Sequence, residues 1–462
     1  MSEVINAFPG YSFERGSDDK WHNMYRGVDL GFGGWVYTKP GIYHNVALID
    51  AASLHPTSII LLNKLGKYTE RYAELRKARV LIKHREFDEV SKLFDGKLKK
   101  YLESEDEADA LSSALKIPLN SFFGISAASF DNPARDSRDH NNIIALRGSL
   151  FMKTLFDAVE AEGYEVIHIK TDSLKINNAD DYIVKFVQDF GKKYGYEMEY
   201  EATYDRICLI DKANYIAKYD KFGIRNKGGK HAGEWTATGA AFQHPYIFKT
   251  LFTGEPITFS DYCETRTVSG SAIYLDMNEG FINVEDAEEE RDRRLYNATH
   301  PNKKKKLSEK WSDYDDVALE NYISQGHAYS FVGRVGQFVA VQKGAGGGIM
   351  CRDKDGKYYA VTGTKGYRWL EAEVVEQNHM EYLLDMEYYN DLVKDAIASI
   401  RKWGSYEEFV GLKSSDTDGV PCGDNKRNDC VECPMYENDG CKSGYSAAVK
   451  EGGSNGLVSA SA

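Results

Sequence analysis

Two aspartates that end apolar, strand-like runs are the residues of this chain best suited to chemistry. Asp172 lies in KTDSLKI, Lys170 to Ile176, where the run VIHI meets a sharp turn and a second apolar run begins at once. That is the pattern of a hairpin with Asp172 fixed at its tip. Asp50 closes the run NVALID and opens into DAASLHPTS. A single aspartate at a strand end is most often a turn residue. Two of them, far apart in sequence, can be set side by side by one sheet, and such a pair suits Mg²⁺, which takes hard oxygen ligands and needs only one or two carboxylates beside phosphates and water. Between them lies LKIPLNSFFG, residues 115 to 124, in a stretch from Asp106 to Phe123 that reads as a helix with an acidic start. Lys116, Asn120 and Phe123 are spaced by four and three and share one of its faces. Pro118 removes the bond its amide would make to the Ala114 carbonyl, which predicts a kink.

In this order the three segments resemble the motifs of family B DNA polymerases. The family's first motif, D-x-x-S-L-Y-P-S, is matched by Asp50, Ser53, Leu54, Pro56 and Ser58, with His55 in place of the tyrosine and Thr57 inserted. Its second, K-x-x-x-N-S-x-Y-G, is matched by Lys116, Asn120, Ser121 and Gly124, with Phe123 for tyrosine. Its third, D-T-D-S, is matched by Thr171, Asp172 and Ser173, with Lys170 for the first aspartate. The resemblance implies that Asp50 and Asp172, with the Ala51 carbonyl, bind two Mg²⁺ ions roughly 3.5–4 Å apart that serve phosphoryl transfer to a primer 3′-hydroxyl. It implies a nucleotide pocket of Ser53, Leu54, His55, Lys116, Asn120, Phe123 and Thr171, with Gly124 toward the DNA.

A second helical stretch runs from Tyr68 to about Phe94, with Tyr72, Leu75, Val80, Ile82, Phe87 and Val90 on its apolar side. Arg79 and Lys83, four apart, match the family's triphosphate-holding R-x-x-x-K pair; on the helix alone, which also carries Arg71, Arg76, Lys77 and Arg85, they read equally as a solvated basic face. DKANYIAKY, residues 211 to 219, resembles the K-K-x-Y motif that contacts the primer end: Lys212 and Tyr215 match, and Ala213 stands at the second lysine, for which Lys212 or Lys218 can substitute. His55 replaces the tyrosine that acts in the family as a steric gate against ribonucleotides.

The 462 residues suggest more than one domain. There is no apolar run long enough for a membrane span and no cleavable signal at Met1, so a cytoplasmic protein is expected, in a host cell if phage-encoded. The net charge of −13 by itself argues against a nucleic-acid binder, but it is unevenly spread: acidic clusters at 103–109 and 285–292 contrast with basic spots at Lys97, Lys99, Lys100 and Lys303 to Lys306. Tyrosines number 31, and aromatics interleaved with lysines suit stacking on single-stranded template. Cys208, Cys263 and Cys351 read as reduced thiols. Cys422, Cys430, Cys433 and Cys441, separated by seven, two and seven residues, form a candidate four-thiolate site for Zn²⁺ or, with the proline after Cys433, a [4Fe–4S] cluster.

The expected fold class is α+β: a right hand like that of family B polymerases, with an antiparallel-sheet palm, helical fingers, a mixed α/β thumb region and a small cysteine module. Residues 1–45 read as a β-rich or irregular lead-in, 46–60 as the first palm segment, 61–125 as fingers, and 126–227 as the rest of the palm in the order helix (142–163), strand, turn, strand, helix (180–195), strands. Residues 228–410 read as a thumb-like region with a β-meander over 331–370, a hairpin turn at Gly344 to Gly348 and a helix at 388–403; 411–445 hold the four cysteines and 446–462 a disordered tail. Only 49 residues precede Asp50, so no 3′–5′ exonuclease domain is expected before the palm, and a separate exonuclease subunit or other replisome protein is an expected partner beside primer-template DNA and dNTPs. These features look most like bacteriophage members of the family. The functional expectation is a template-directed DNA polymerase in replication. Lys170, Phe123 and Ala213 motivate one alternative, an inactive DNA-binding subunit that organises a replisome; His55 motivates another, a ribonucleotide-tolerant nucleotidyltransferase or primase-polymerase.

Overall fold

The computed structural model describes residues 7–128, 130–132, 142–276, 284–312, 314–325, 329–352 and 356–411. It divides into two compact units, Met1–Phe242 with Ala398–Lys413, and Gln243–Ile397 with Ser414–Ala462. The fold is α+β, and its paired strands are antiparallel.

The first unit is built on a seven-stranded sheet. Its strands are β1 (Val36–Thr38), β2 (Gly41–Ala51), β3 (Glu165–Lys170), β4 (Ser173–Asn177), β5 (Met198–Leu209), β6 (Tyr215–Ile224) and β7 (Trp235–Thr238). They lie in the order β7-β6-β5-β2-β4-β3-β1. β1 and the start of β2 come from the stretch ahead of residue 45, and a separate three-stranded sheet covers Tyr11–Arg15, Trp21–Tyr25 and Val28–Asp29. Because side chains alternate along a strand, β2 sends Ala47, Ile49 and Ala51 to one face and Val46, Leu48 and Asp50 to the other. The first face packs on helices α4 (Ile143–Ala161) and α5 (Asp181–Lys193), with Leu150, Phe151, Leu155, Val159, Ile183 and Val187 fully buried. α4 is apolar nearly all round, as its burial on every side requires. The second face carries Val46, Leu48, Ile167, Ala202, Tyr204 and Ala217.

Three helices stand over the Asp50 end of this sheet: α1 (Leu54–Leu61), α2 (Thr69–Lys83) and α3 (Glu105–Ala127). α2 and α3 share a small core of Ala78, Ile82, Ala108 and Leu115, and the Tyr72 hydroxyl donates to the Leu119 carbonyl at 2.7 Å. α3 begins at Ser104, whose side chain accepts from the Glu107 amide, and runs as one element through Pro118. The expected helix from Tyr68 to Phe94 is broken. It stops at Lys83, because Arg85 takes a left-handed φ of 62°, and only the short turns Phe87–Val90 and Leu93–Gly96 follow.

In the second unit the expected β-meander is not one sheet. Strands Tyr329–Gly333, Val335–Val341, Gly348–Arg352, Tyr358–Ala360 and Arg368–Glu371 are distributed between two sheets, and the chain switches sheet from one strand to the next at Gly333 to Val335. Gly344 to Gly348 therefore joins strands of different sheets and closes no hairpin. Gly346, at φ 63°, passes so close to the Trp369 carbonyl that a Cβ would lie 2.3 Å from it. The helix expected at 388–403 runs Met386–Arg401. The four cysteines at 422–441 and the tail at 446–462 lie outside the described residues; among the described residues Cys208, Cys263 and Cys351 are free thiols. Among the described residues no helix is long and apolar enough to cross a membrane.

Candidate active site

The catalytic candidates meet where β2 and the β3–β4 hairpin end. Asp50 pairs with Ser173, and the Ala51 amide donates to the Asp172 carbonyl at 2.9 Å, so the two aspartates end neighbouring strands. A two-residue turn, Thr171–Asp172, holds the hairpin tip, with Thr171 at φ 60° and its amide donating to the Trp35 carbonyl. The Thr171 side chain rests on Gly34, where a Cβ would fall 2.4 Å from its Oγ1. After Ala52 the chain turns through Ser53, also left-handed at φ 61°, into α1. Two strained positions thus flank the aspartates, and strain of this kind collects at functional sites.

A cavity of about 450 Å³ opens here, lined among others by Asp50, Asp172, Ala51, Ser53, Leu54, His55, Arg79, Lys83, Lys116, Asn120 and Phe123. α3 delivers Lys116, Asn120 and Phe123 on one face, as their spacing predicts, and α2 delivers Arg79 and Lys83. The Phe123 ring stacks on the His55 imidazole with centroids 4.1 Å apart and planes 2° apart. Both rings stand where the polymerase motifs have tyrosine. Burial holds His55 below the usual imidazole range, so the ring is neutral, and its Nδ1 has no hydrogen-bond partner in the structure. Leu54 lines the cavity and packs against Gly148 of α4, where a Cβ would come within 2.9 Å of it.

Arg79 and Lys83 are not a solvated face. The Arg79 guanidinium donates to Ser53 Oγ at 3.2 Å, Arg76 donates to the Ala52 carbonyl at 2.9 Å, and the Lys83 ammonium binds buried Glu199 at 2.9 Å. Glu199 also meets His84 Nε2 at 3.0 Å. Glu199 lies opposite Asp50 on β5. Ligand atoms of His84, Glu197 and Glu199 all fall within 4.8 Å of one another, a spacing that a metal ion can occupy, yet both Glu199 oxygens are already bonded, one to the Lys83 ammonium and one to the His84 ring. Glu197, Glu199 and Glu201 alternate in sequence, and that period of two was the available signal for an acidic strand edge beside Asp50.

Burial, then the charges of Asp172 and Glu201, push the Asp50 carboxyl up to about 8, and burial followed by Glu201 raises Asp172 as well. Carboxyls crowded in this way hold protons until a cation neutralises them. The donor set, two hard carboxylates in a cavity that Ala51 also lines, fits Mg²⁺.

Not all expected residues join the cavity. Gly124 is exposed on α3 just beyond Phe123, and Thr171 turns toward Gly34. Lys212 is exposed in a turn between β5 and β6, where Asp211 accepts the amides of Ala213 and Asn214. Tyr215 lies elsewhere on the sheet's Asp50 face, but the sheet curls enough to bring its ring to 4.8 Å from the Lys175 ammonium on β4, although β5 and β2 lie between. Lys175 is buried and bonded to His168 Nδ1 at 3.1 Å, and burial together with Lys175 pushes His168 down to about 3.

No protein-family model matches this chain. Over 277 residues it is 26% identical to DNA polymerase II of Escherichia coli K12, a match that covers 48% of this chain and 33% of the relative. The chain therefore spans about a third of the length of the curated relative it matches. Among solved structures it aligns with the family B DNA polymerase of the hyperthermophilic archaeon Pyrobaculum calidifontis over 87% of this chain and 48% of the other, at 12% identity and a TM-score of 0.38. About half of the chain is thus similar in sequence to a DNA polymerase.

Proposed function

We propose that this chain is a template-directed DNA polymerase of the family B kind, adding deoxynucleotides to a primer 3′-hydroxyl in DNA replication. One observation carries the reading: a single cavity gathers two strand-end aspartates, three cations from two helices and a stacked pair of flat rings. The sequence similarity to DNA polymerase II agrees with it. In this reading the seven-stranded sheet is the palm and α2 with α3 the fingers.

Two Mg²⁺ ions held by Asp50, Asp172 and the Ala51 carbonyl would activate the primer oxygen and neutralise the triphosphate as the bond to the leaving pyrophosphate breaks. Lys116, Arg79 and Lys83 bind the triphosphate and stabilise the charge on departing pyrophosphate. Lys83 reaches it by exchanging Glu199 for phosphate, while His84 keeps Glu199 bonded. Ser53 and Asn120 orient the sugar and phosphates. The His55–Phe123 stack forms the wall against which the nascent base pair and the sugar lie, with Leu54 lining the same cavity. Lys212 and Tyr215 contact the primer behind the site. The narrower assignment to a bacteriophage branch rests on the gap between the palm motifs and the short fingers.

Single-turnover incorporation on a primed template tests the reading. Asp172→Asn is expected to lose about 10³-fold or more in rate with an unchanged circular-dichroism spectrum. A fully active Asp172→Asn protein overturns it.

A further inference from the structure

We propose that the tip of the β6–β7 hairpin is a contact for single-stranded nucleic acid, the unpaired template ahead of the site. The tip runs from Asp220 to Glu234 and includes a 3₁₀ turn at Arg225–Lys227. Gly223 makes the tip tight. At φ 57°, its missing Cβ would lie 2.2 Å from the Lys230 carbonyl, which accepts the Ile224 amide at 2.8 Å.

Charge and aromatic exposure single the tip out. Residues 218 to 234 hold Lys218, Lys221, Arg225, Lys227 and Lys230 against only Asp220 and Glu234, within a chain of net charge −13. Lys221, Arg225, Lys227 and Lys230 are exposed, and no ion pair among the described residues includes them. The two nearby carboxylates are engaged: Glu234 with His231, and Asp220 with the Phe222 amide. Phe222 is 52% exposed, and the Arg225 guanidinium lies 5.1 Å from its ring and 4.4 Å from that of Tyr200, with the Lys221 ammonium 5.1 Å from Phe222. An exposed ring among unpaired cations suits stacked bases with phosphates alongside.

The register gives the direction. Ala202 of β5 pairs both with Leu48 of β2 and with Ile224 of β6, so the tip emerges at the Asp50 end of the sheet, two strand spacings or about 10 Å to the side. Tyr215 begins the same strand at its other end. If Tyr215 and Lys212 contact the primed duplex, the tip meets the strand beyond it, which is unpaired. This placement rests on the polymerase reading; binding to an oligonucleotide does not.

The test uses the full chain and a fluorescent thymidine oligonucleotide, with anisotropy followed over a salt series. Replacing Lys221, Arg225, Lys227 and Lys230 by Gln is expected to weaken binding more than about tenfold at low salt and to flatten the log–log salt slope by about 3, four phosphate contacts at about 0.7 each. Phe222→Ala is expected to weaken single-strand binding about tenfold with the salt slope unchanged. Melting temperatures confirm that both variants fold. Unchanged affinity and slope overturn the proposal, as does a wild type that does not bind. Equal losses on a blunt duplex with Phe222→Ala silent overturn the single-strand assignment. A wild type that binds as expected yet extends no primer leaves this inference standing and removes the polymerase reading.

Discussion

Asp50 is the residue whose state depends most on what fills the cavity. Its carboxyl is pushed up to about 8 by burial and by Asp172 and Glu201. A carboxyl raised in the folded state contributes stability that is complete below the ordinary carboxylate range and is lost as pH rises through the folded value. The cation-free protein is therefore expected to lose melting temperature between about pH 4 and 8, a fall that Mg²⁺ reverses by stabilising the ionised form. Asp50→Asn is expected to reduce this pH dependence, leaving the part that Asp172 contributes, and to raise cation-free stability at pH 8 by about 2–4 kcal/mol, measured by denaturant titration. A pH-independent wild type contradicts this. His55 makes a second prediction: His55→Ala should reduce the preference for dATP over ATP by about tenfold or more, measured as the ratio of incorporation efficiencies on one template. An unchanged ratio removes His55 from sugar selection. Both aspartates and the three residues of α3 were legible in the sequence because motif order and helical spacing fix them. Glu199 was not, since a strand carboxylate shows no partner until the fold lays α2 against it and supplies Lys83 and His84.

Elements matter here through how tightly they fix those side chains. The β3–β4 turn is wedged by Gly34, where a Cβ would meet the Thr171 side chain at 2.4–2.7 Å. Gly34→Ala is expected to displace the hairpin tip and lower the incorporation rate about tenfold or more, at a stability cost of about 1–3 kcal/mol from overpacking. Loss of rate in proportion to loss of folded protein would show that the wedge serves folding alone. α2 and α3 are held at the level of the cavity by the Tyr72 hydroxyl on the Leu119 carbonyl. Tyr72→Phe should cost about 1 kcal/mol and raise the KM for dNTP, measured by steady-state incorporation. Helices α3 and α5 form where period and capping agree, Ser104 and Asp180 each accepting an amide, and α4 and the Asp172 hairpin follow in the expected order although the α4 N-cap, Asn142, makes no side-chain capping bond. The apolar period of Tyr68 to Phe94 continues past Lys83, but a left-handed residue at Arg85 leaves no trace in that period. In the second unit, alternation identified strands correctly and gave no information on which of two sheets each would join.

At the scale of the whole molecule, the proposed function requires that a chain of net charge −13 concentrate its cations where nucleic acid would lie. Two groups of cations in the first unit meet that requirement: Arg79, Lys83 and Lys116 in the cavity, and the exposed cations of the β6–β7 tip. The total charge conceals this arrangement, because it sums carboxylates on exposed helices with cations at the sheet end. The same division of labour makes the aspartates separable from nucleic-acid binding, so substitution at Asp50 should leave oligonucleotide affinity nearly unchanged. The central claim is that the strand-end aspartates catalyse template-directed nucleotide addition. Its most direct test is primer extension with dNTPs and Mg²⁺ on a primed DNA template, wild type beside Asp50→Ala. The account predicts template-dependent extension by the wild type and none by the variant; extension by both, or by neither, contradicts it.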